Sequence, residues 1–303
     1  MINKSQNDTQ TKEGIWRILD VLQWGTDYLT RHGISQPRLS MEWMLSKILQ
    51  VKRLDLYLQF ERPLNAPELA QLKGLVQKRR EHVPLQYLLG EWDFFGLSLG
   101  VNEHVLIPRP ETEILVESLL NHLQKCDKNS FTCGLDLGTG SGNIAIAMLT
   151  HRADSRCVAV DRCAKALEEA RANAQRHGVT DRMEFRQGDW FEALPRETAG
   201  SFDWIVSNPP YIAKEQWGKL PQEICRYEPP EALWGGEGGL DFYRIIVAGA
   251  PAYLKSGGWL ALEMGDGQSQ ILQNLVQADG KLAFVETVKD LGGIERVILA
   301  QRI

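Results

Sequence analysis

At 303 residues the chain exceeds one typical domain, and its 43% hydrophobic and 24% charged residues are those of a globular protein, so two domains are expected. No run of 18 apolar residues is available to span a membrane, and the polar start Met1–Gln6 is not that of a signal peptide, so a cytoplasmic protein without a membrane partner is expected. Its five cysteines (Cys126, Cys133, Cys157, Cys163, Cys225) are odd in number and lack a C-x2-C spacing, which argues against a disulfide framework and a zinc site, and no metal is expected.

Residues 1–12 are polar and read as a disordered tail. From Glu13 onward Ile15, Ile18, Leu19, Leu22, Tyr28 and Leu29 recur at helical spacing until Gly33, and a second helix follows Pro37 with Leu39, Trp43, Met44, Ile48 and Leu49 on one face. Leu54–Phe60 makes a shorter piece. Asn65 is placed to cap a third helix, with Pro67 and Glu68 in its first turn and Lys78-Arg79-Arg80 at its end, matching the helix dipole. Residues 1–85 thus read as a small helical bundle. This piece has no strand pattern, Cys/His set or acid pair, so it is expected to recognise something rather than react with it. It carries a net +4 against −9 for the remainder, a margin that an ordinary solvated surface would also show.

Residues 86–110 read as a linker and β-hairpin: Pro84–Gly90 resembles a hinge, and Glu91–Leu106 alternates around Gly96 and Gly100. Ile107-Pro108-Arg109-Pro110-Glu111-Thr112-Glu113 is a stiff turn into a helix. Arg109 is either half of a surface ion pair or part of a loop lying over a catalytic site. Residues 111–303 form the expected second domain, in which the texture from Cys133 onward is alternating strand and helix. Strands are predicted at Cys133–Leu137, Cys157–Val160, Met183–Gln187, Trp204–Ser207, Trp259–Glu263, Ala283–Lys289 and Arg296–Ala300. Helices are predicted at Asn143–Thr150, Ala164–His177, Leu240–Leu254 and Gln268–Ala278. The fold class is α/β, a doubly wound, Rossmann-like sheet, and the last two strands, with no helix between them, imply an antiparallel C-terminal edge.

Leu135-Asp136-Leu137-Gly138-Thr139-Gly140-Ser141-Gly142-Asn143 leaves the first strand of that sheet and opens a helix. Its G-x-G-x-G spacing is not the G-x-G-x-x-G of a dinucleotide site. Asp136 precedes the glycines, where a carboxylate would repel a pyrophosphate but attract an amino group. Asp161 ends the second strand, where an acid accepts hydrogen bonds from ribose hydroxyls. Asp189 and Trp190 follow the third strand, where an adenine edge and face could be met. In this order the residues describe a pocket for a nucleoside with an amino-acid tail, that is, S-adenosylmethionine. The fourth strand ends at Asn208-Pro209-Pro210-Tyr211, where the prolines stop the strand and project an amide and a ring. A carbonyl beside a flat ring can hold a planar NH2 group, so the reaction read here is N-methylation of an amide or of an exocyclic base amine.

The chain resembles the protein-(glutamine-N5) methyltransferases that modify peptide-chain release factors. The resemblance covers most of residues 13–303 and rests on Gln86–Gly90, Ile107–Glu113, Asp136–Gly142 and Asn208–Tyr211, with support from Arg226-Tyr227-Glu228-Pro229, Gly235–Arg244 and Asp290–Val297. It implies a class I methyltransferase sheet in which Gly138–Gly142, Asp161 and Trp190 hold S-adenosylmethionine. It also implies that Asn208 touches both cofactor and substrate, and that Asn208–Tyr211 grip the glutamine of a release factor's Gly-Gly-Gln loop while the helical front domain docks that factor. Leu106 stands where some relatives carry an aromatic. Asn-Pro-Pro-Tyr is shared with adenine-N6 methyltransferases of DNA or RNA, so that activity is the alternative, together with a non-catalytic cofactor-binding module. The −9 of the catalytic part favours a protein substrate over a nucleic acid. A monomer is expected.

Overall fold

The computed structural model describes residues 14–126, 132–278 and 280–303; the tail expected over residues 1–12 lies outside them. Contacts divide the chain after Leu89 into two compact units.

The first unit contains α1 (Ile18–Arg31), α2 (Pro37–Leu49), a 3-10 turn (Arg53–Leu58), α3 (Ala66–Arg80) and the short α4 (Leu85–Leu89). The helical spacing read from the sequence becomes its core: Ile18, Leu22 and Leu29 of α1 are buried with Met41, Met44 and Leu45 of α2 and with Leu72 and Val76 of α3. Asn65 caps α3 as predicted, its Oδ1 accepting from Glu68 N at 2.9 Å while the Glu68 carboxylate accepts from Asn65 N, also at 2.9 Å. Glu42 is 2% exposed on α2 and is neutralised locally, accepting from Tyr57 at 2.6 Å, Arg38 at 2.8 Å and Arg53 at 3.1 Å. The stretch read as a hinge is instead a helical turn: Lys47 Nζ donates to the carbonyls of Leu88, at 3.1 Å, and Leu89, so a cation satisfies the end of α4.

The second unit opens with the hairpin β1 (Glu91–Phe94) and β2 (Leu97–Gly100), turning at Phe95-Gly96, both at positive φ as a two-residue turn requires. The loop 101–109 leads into α5 (Pro110–Cys126). Then follow β3 (Thr132–Leu137), α6 (Asn143–His151), β4 (Ser155–Asp161), α7 (Ala164–Arg176), β5 (Met183–Gln187) and β6 (Phe202–Ser207). After the short α8 (Lys214–Trp217) and α9 (Gln222–Tyr227) come α10 (Asp241–Tyr253), β7 (Leu254–Glu263), α11 (Ser269–Gln277), β8 (Leu282–Lys289) and β9 (Glu295–Arg302). Among the described residues no helix is long and apolar enough to cross a membrane.

The seven-stranded sheet has the order β5-β4-β3-β6-β7-β9-β8. The first five run parallel, and β9 is antiparallel to both its neighbours. The antiparallel C-terminal pair was legible in the sequence, but the insertion of β9 inside β8 was not. It follows from burial: Val297–Ala300 of β9 are buried without a break, whereas β8 is half exposed and takes the edge. Successive strand residues alternate between two cores. Trp204, Val206, Trp259 and Ala261 face one with α5 and α6; Leu135, Leu137, Ile205 and Leu262 face the other with α10 and α11. The chain winds outward from β3 in both directions, so the carboxyl ends of β3, β4, β5 and β6 border one crevice.

Gly134 of β3 lies beside its pairing partner Trp204, and a Cβ there would stand 1.9 Å from the indole. Gly134→Ala is therefore expected to destabilise the second unit by about 1–3 kcal/mol, read as a lower midpoint in urea unfolding followed by tryptophan fluorescence.

Candidate active site

Beyond β3 the backbone must turn tightly while leaving open space above it. Gly138, Gly140 and Gly142 adopt φ of +73°, +55° and +81°, a region that suits glycine. The amides of Gly138 and Thr139 both donate to Val160 O at 2.9 Å, which ties the loop to the end of β4. Asp161 closes the tie from the other side, accepting from Gly140 N at 2.8 Å and from Cys163 N at 2.9 Å. Burial lifts the Asp161 pKa above its ordinary value despite those two bonds. Asn173 of α7 braces the loop from behind: its Nδ2 donates to Ser141 O at 2.9 Å and Gly100 O at 3.0 Å, and its Oδ1 accepts from Gly100 N at 2.6 Å.

A cavity of about 580 Å³ opens over this loop. Of the residues predicted to hold the cofactor, Gly138, Gly140, Asp161, Asp189, Trp190 and Asn208 line it. Asp136, Thr139, Ser141 and Gly142 do not. Asp136 is 0% exposed beneath the loop, where its Oδ2 accepts from Thr139 Oγ1 at 2.7 Å. In this geometry Asp136 supports the loop from below. Trp190 sits at φ +49° with its ring 4.9 Å from that of Phe242, and the pair forms an aromatic wall. Phe242 was not singled out in the sequence; one ring in a glycine-rich stretch gives no sign of which cavity it will meet. Asp189 is exposed and lies 3.7 Å from Arg162.

A second cavity, of about 390 Å³, lies against the first and shares Leu106, Asn208 and Ala232 with it. The turn after β6 separates the two: Pro210 lines the first, Tyr211 the second, and Pro209 is buried and lines neither. Ser207 Oγ donates to Leu137 O at 2.6 Å, which locks this turn to the glycine loop. Gly239 must be a glycine because a Cβ there would come within 2.2 Å of Tyr211 O, so the Gly235–Gly239 stretch packs directly on the turn's backbone. Arg109 lines the second cavity and donates to Glu228 Oε1 at 2.5 Å, so its ion pair is with a buried carboxylate and not the surface pair that was one expectation. Glu228, 3% exposed, also accepts from Ile107 N at 3.3 Å and so holds the stiff turn in place.

Behind Asn208 lies a chain of buried polar groups that the sequence did not reveal. Asn208 Nδ2 donates to Thr112 Oγ1 at 3.1 Å, Thr112 Oγ1 donates to Glu263 Oε2 at 2.6 Å, and Tyr211 OH lies 3.3 Å from Glu263 Oε1. Burial raises the Glu263 pKa to about 7 and, with the charge of Glu263, keeps the Tyr211 phenol protonated far above neutrality. The site offers two adjoining chambers, an acceptor oxygen and an aromatic face at their junction, and no group of His, Cys, Asp and Glu among the described residues that could hold a metal.

Asp136 also has its pKa raised by burial, to about 7 from the ordinary 3.8, with the Thr139 bond acting against the rise. The folded state then retains a proton that the unfolded chain releases, so wild-type stability falls as pH rises between these values and levels off above them. Asp136→Asn should therefore gain stability relative to wild type as pH rises from 4 to 7, with no further gain above 8, in thermal unfolding without ligand.

Two family models match the chain, the PrmC N-terminal domain over residues 20–90 and a methyltransferase domain over residues 129–285. The release factor glutamine methyltransferase of Geobacter sulfurreducens is 42% identical over 95% of this chain and 97% of its own length. Its namesake from Chlorobaculum tepidum is 37% identical over 94% of this chain and 97% of its own length. That from Xylella fastidiosa is 42% identical over 87% and 93%. These matches span 87–95% of this chain, and the chain belongs to the release factor glutamine methyltransferase family.

Proposed function

We propose that this protein transfers the methyl group of S-adenosyl-L-methionine to the side-chain amide nitrogen, N5, of the glutamine in the Gly-Gly-Gln loop of peptide-chain release factors. The observation that carries this reading is that Asn208 borders both cavities, so a donor in one and an acceptor in the other would meet at a single side chain.

The larger cavity fits the cofactor by its donor and acceptor set. Asp161 keeps lone pairs for ribose hydroxyls beyond the two it commits to backbone amides, and Trp190 with Phe242 offers a face for adenine. Gly138 and Gly140 leave the backbone bare for the amino-acid tail. When bound there, S-adenosyl-L-methionine would supply a transferable methyl group on a cationic sulfur that keeps the electron pair of the carbon–sulfur bond. The chain's own residues orient the acceptor. Asn208 Oδ1 and a main-chain carbonyl of the proline pair accept the two N–H bonds of the glutamine amide, and the Tyr211 ring covers its flat face. These bonds draw the nitrogen lone pair out of conjugation and stabilise the positive charge that develops on it. The methylated nitrogen is acidic and releases its proton to water, so no strong base is needed. Orientation of this kind can supply about 7–11 kcal/mol.

The helical unit that ends at Leu89 is assigned the docking of the release factor, and the protein is taken to act as a cytoplasmic monomer. An adenine-N6 activity is disfavoured by the −9 charge of the catalytic part.

Incubation with labelled cofactor and a bacterial release factor should place one methyl group on the loop glutamine by mass spectrometry. Label retained after that glutamine is replaced, or transfer to adenine in duplex DNA, would overturn the assignment. Asn208→Ala should reduce kcat by about 10²–10³ while the protein still binds cofactor. Trp190→Ala should weaken cofactor binding by roughly tenfold in calorimetry, with kcat at saturation little changed, as loss of one stacking contact of about 1–3 kcal/mol implies.

A further inference from the structure

Methyl transfer requires Asn208 to present its oxygen, not its NH2, to the acceptor. Both ends of an amide are similar in size, so packing alone does not select one. The selection has to come from the partner on the far side, which is the Thr112 hydroxyl at 3.1 Å.

A hydroxyl carries a single hydrogen. Thr112 directs it to Glu263 Oε2 at 2.6 Å, and Tyr211 OH approaches the other oxygen, Oε1. An ionised carboxylate can only accept, so both neighbours must donate to it. Thr112 Oγ1 is then left with lone pairs, which attract Asn208 Nδ2 and would repel Oδ1. The oxygen is turned away from Thr112. We propose that Thr112 and Glu263 are positioning residues which, through this one-way hydrogen-bond chain, fix the Asn208 amide with its oxygen toward the acceptor. This role rests on the methyl-transfer function proposed above.

Glu263 is an expensive way to fill space. It is 1% exposed, and apolar residues of similar volume commonly hold a core as well as, or better than, a buried charge. Its position at the end of β7 is set by pairing with Val297 of β9 and by the bond from Met264 N to Arg296 O, so the carboxylate is held on rigid backbone. The groups that face it are Glu111 and Thr112 of α5, Tyr211 of the turn after β6, Arg296 of β9 and Tyr243 of α10, whose hydroxyl donates to Glu263 O at 3.0 Å. Burial and Glu111 raise the Glu263 pKa, and Thr112, Tyr211 and Arg296 lower it, leaving it near 7. Protonation on the acid side would make Glu263 a donor, free the Thr112 hydrogen to turn toward Asn208, and allow the amide to flip.

Two measurements test this, one of them independent of turnover. In NMR the Asn208 side-chain NH2 signals, assigned by their loss in Asn208→Asp, should shift with a midpoint near pH 7 in the wild type and not in Glu263→Gln. Absence of that shift in the wild type, or its survival in Glu263→Gln, would overturn the relay whether or not a release factor is methylated. In kinetics with the release factor, Thr112→Val should lower kcat about 10²-fold with little change in cofactor affinity. Thr112→Ser should restore most of the rate, and Thr112→Ala serves if the valine variant does not fold. A serine variant as impaired as the valine one, or a valine variant as active as wild type, would sink the proposal. A wild type that shows the NMR titration but transfers no methyl to the release factor would instead count against the function.

Discussion

The hydrogen bond from Ser207 Oγ to Leu137 O, 2.6 Å long and buried between two parallel strands, is the contact on which the site's geometry depends. It joins the last residue of β3 to the last residue of β6. One residue further on, the first strand becomes the glycine loop and the second becomes Asn208. Two segments some 70 residues apart in the chain thus start their turns from a common, rigid point, and neither can drift without breaking a buried bond. Loops supported in this way can hold reacting groups to the tolerance that an in-line transfer demands.

Buried carboxylates recur around that point, and each is met by donors, in two of the three cases from a distant segment. Asp136 takes the Thr139 hydroxyl, Glu228 takes Arg109 and the Ile107 amide, and Glu263 takes Thr112 and Tyr211. The stiff Ile107–Glu113 turn supplies donors to two of the three. That explains why a stretch with no chemistry of its own stands beside the second cavity: it is the clasp between α5, the Asn-Pro-Pro-Tyr turn and the loop carrying Glu228. The same arrangement buries two of these carboxylates, Asp136 and Glu263, deeply enough to raise their pKa values to about 7.

Much of this could be read from residues alone. The alternating texture of strand and helix marked the sheet, glycine spacing marked the loop, and a double proline marked the end of β6. The resemblance added the acceptor. What could not be read were the partners made by folding: Phe242 beside Trp190, Thr112 between Asn208 and Glu263, and the short helix where a hinge was expected. A single phenylalanine, threonine or glutamate has no local pattern, because its role comes from a neighbour far away in sequence.

The sequence by itself determined the alternation of strands and helices, the order of the acids at the strand ends and the reacting turn, because these depend on local periodicity and on the stereochemistry of glycine and proline. Tertiary structure decided which of those acids would line a cavity and which would be buried under it. It also placed Asn208 at the junction of two chambers and set β9 inside β8. The reason is that burial and hydrogen-bond direction are properties of pairs brought together by the fold, and no residue carries them alone.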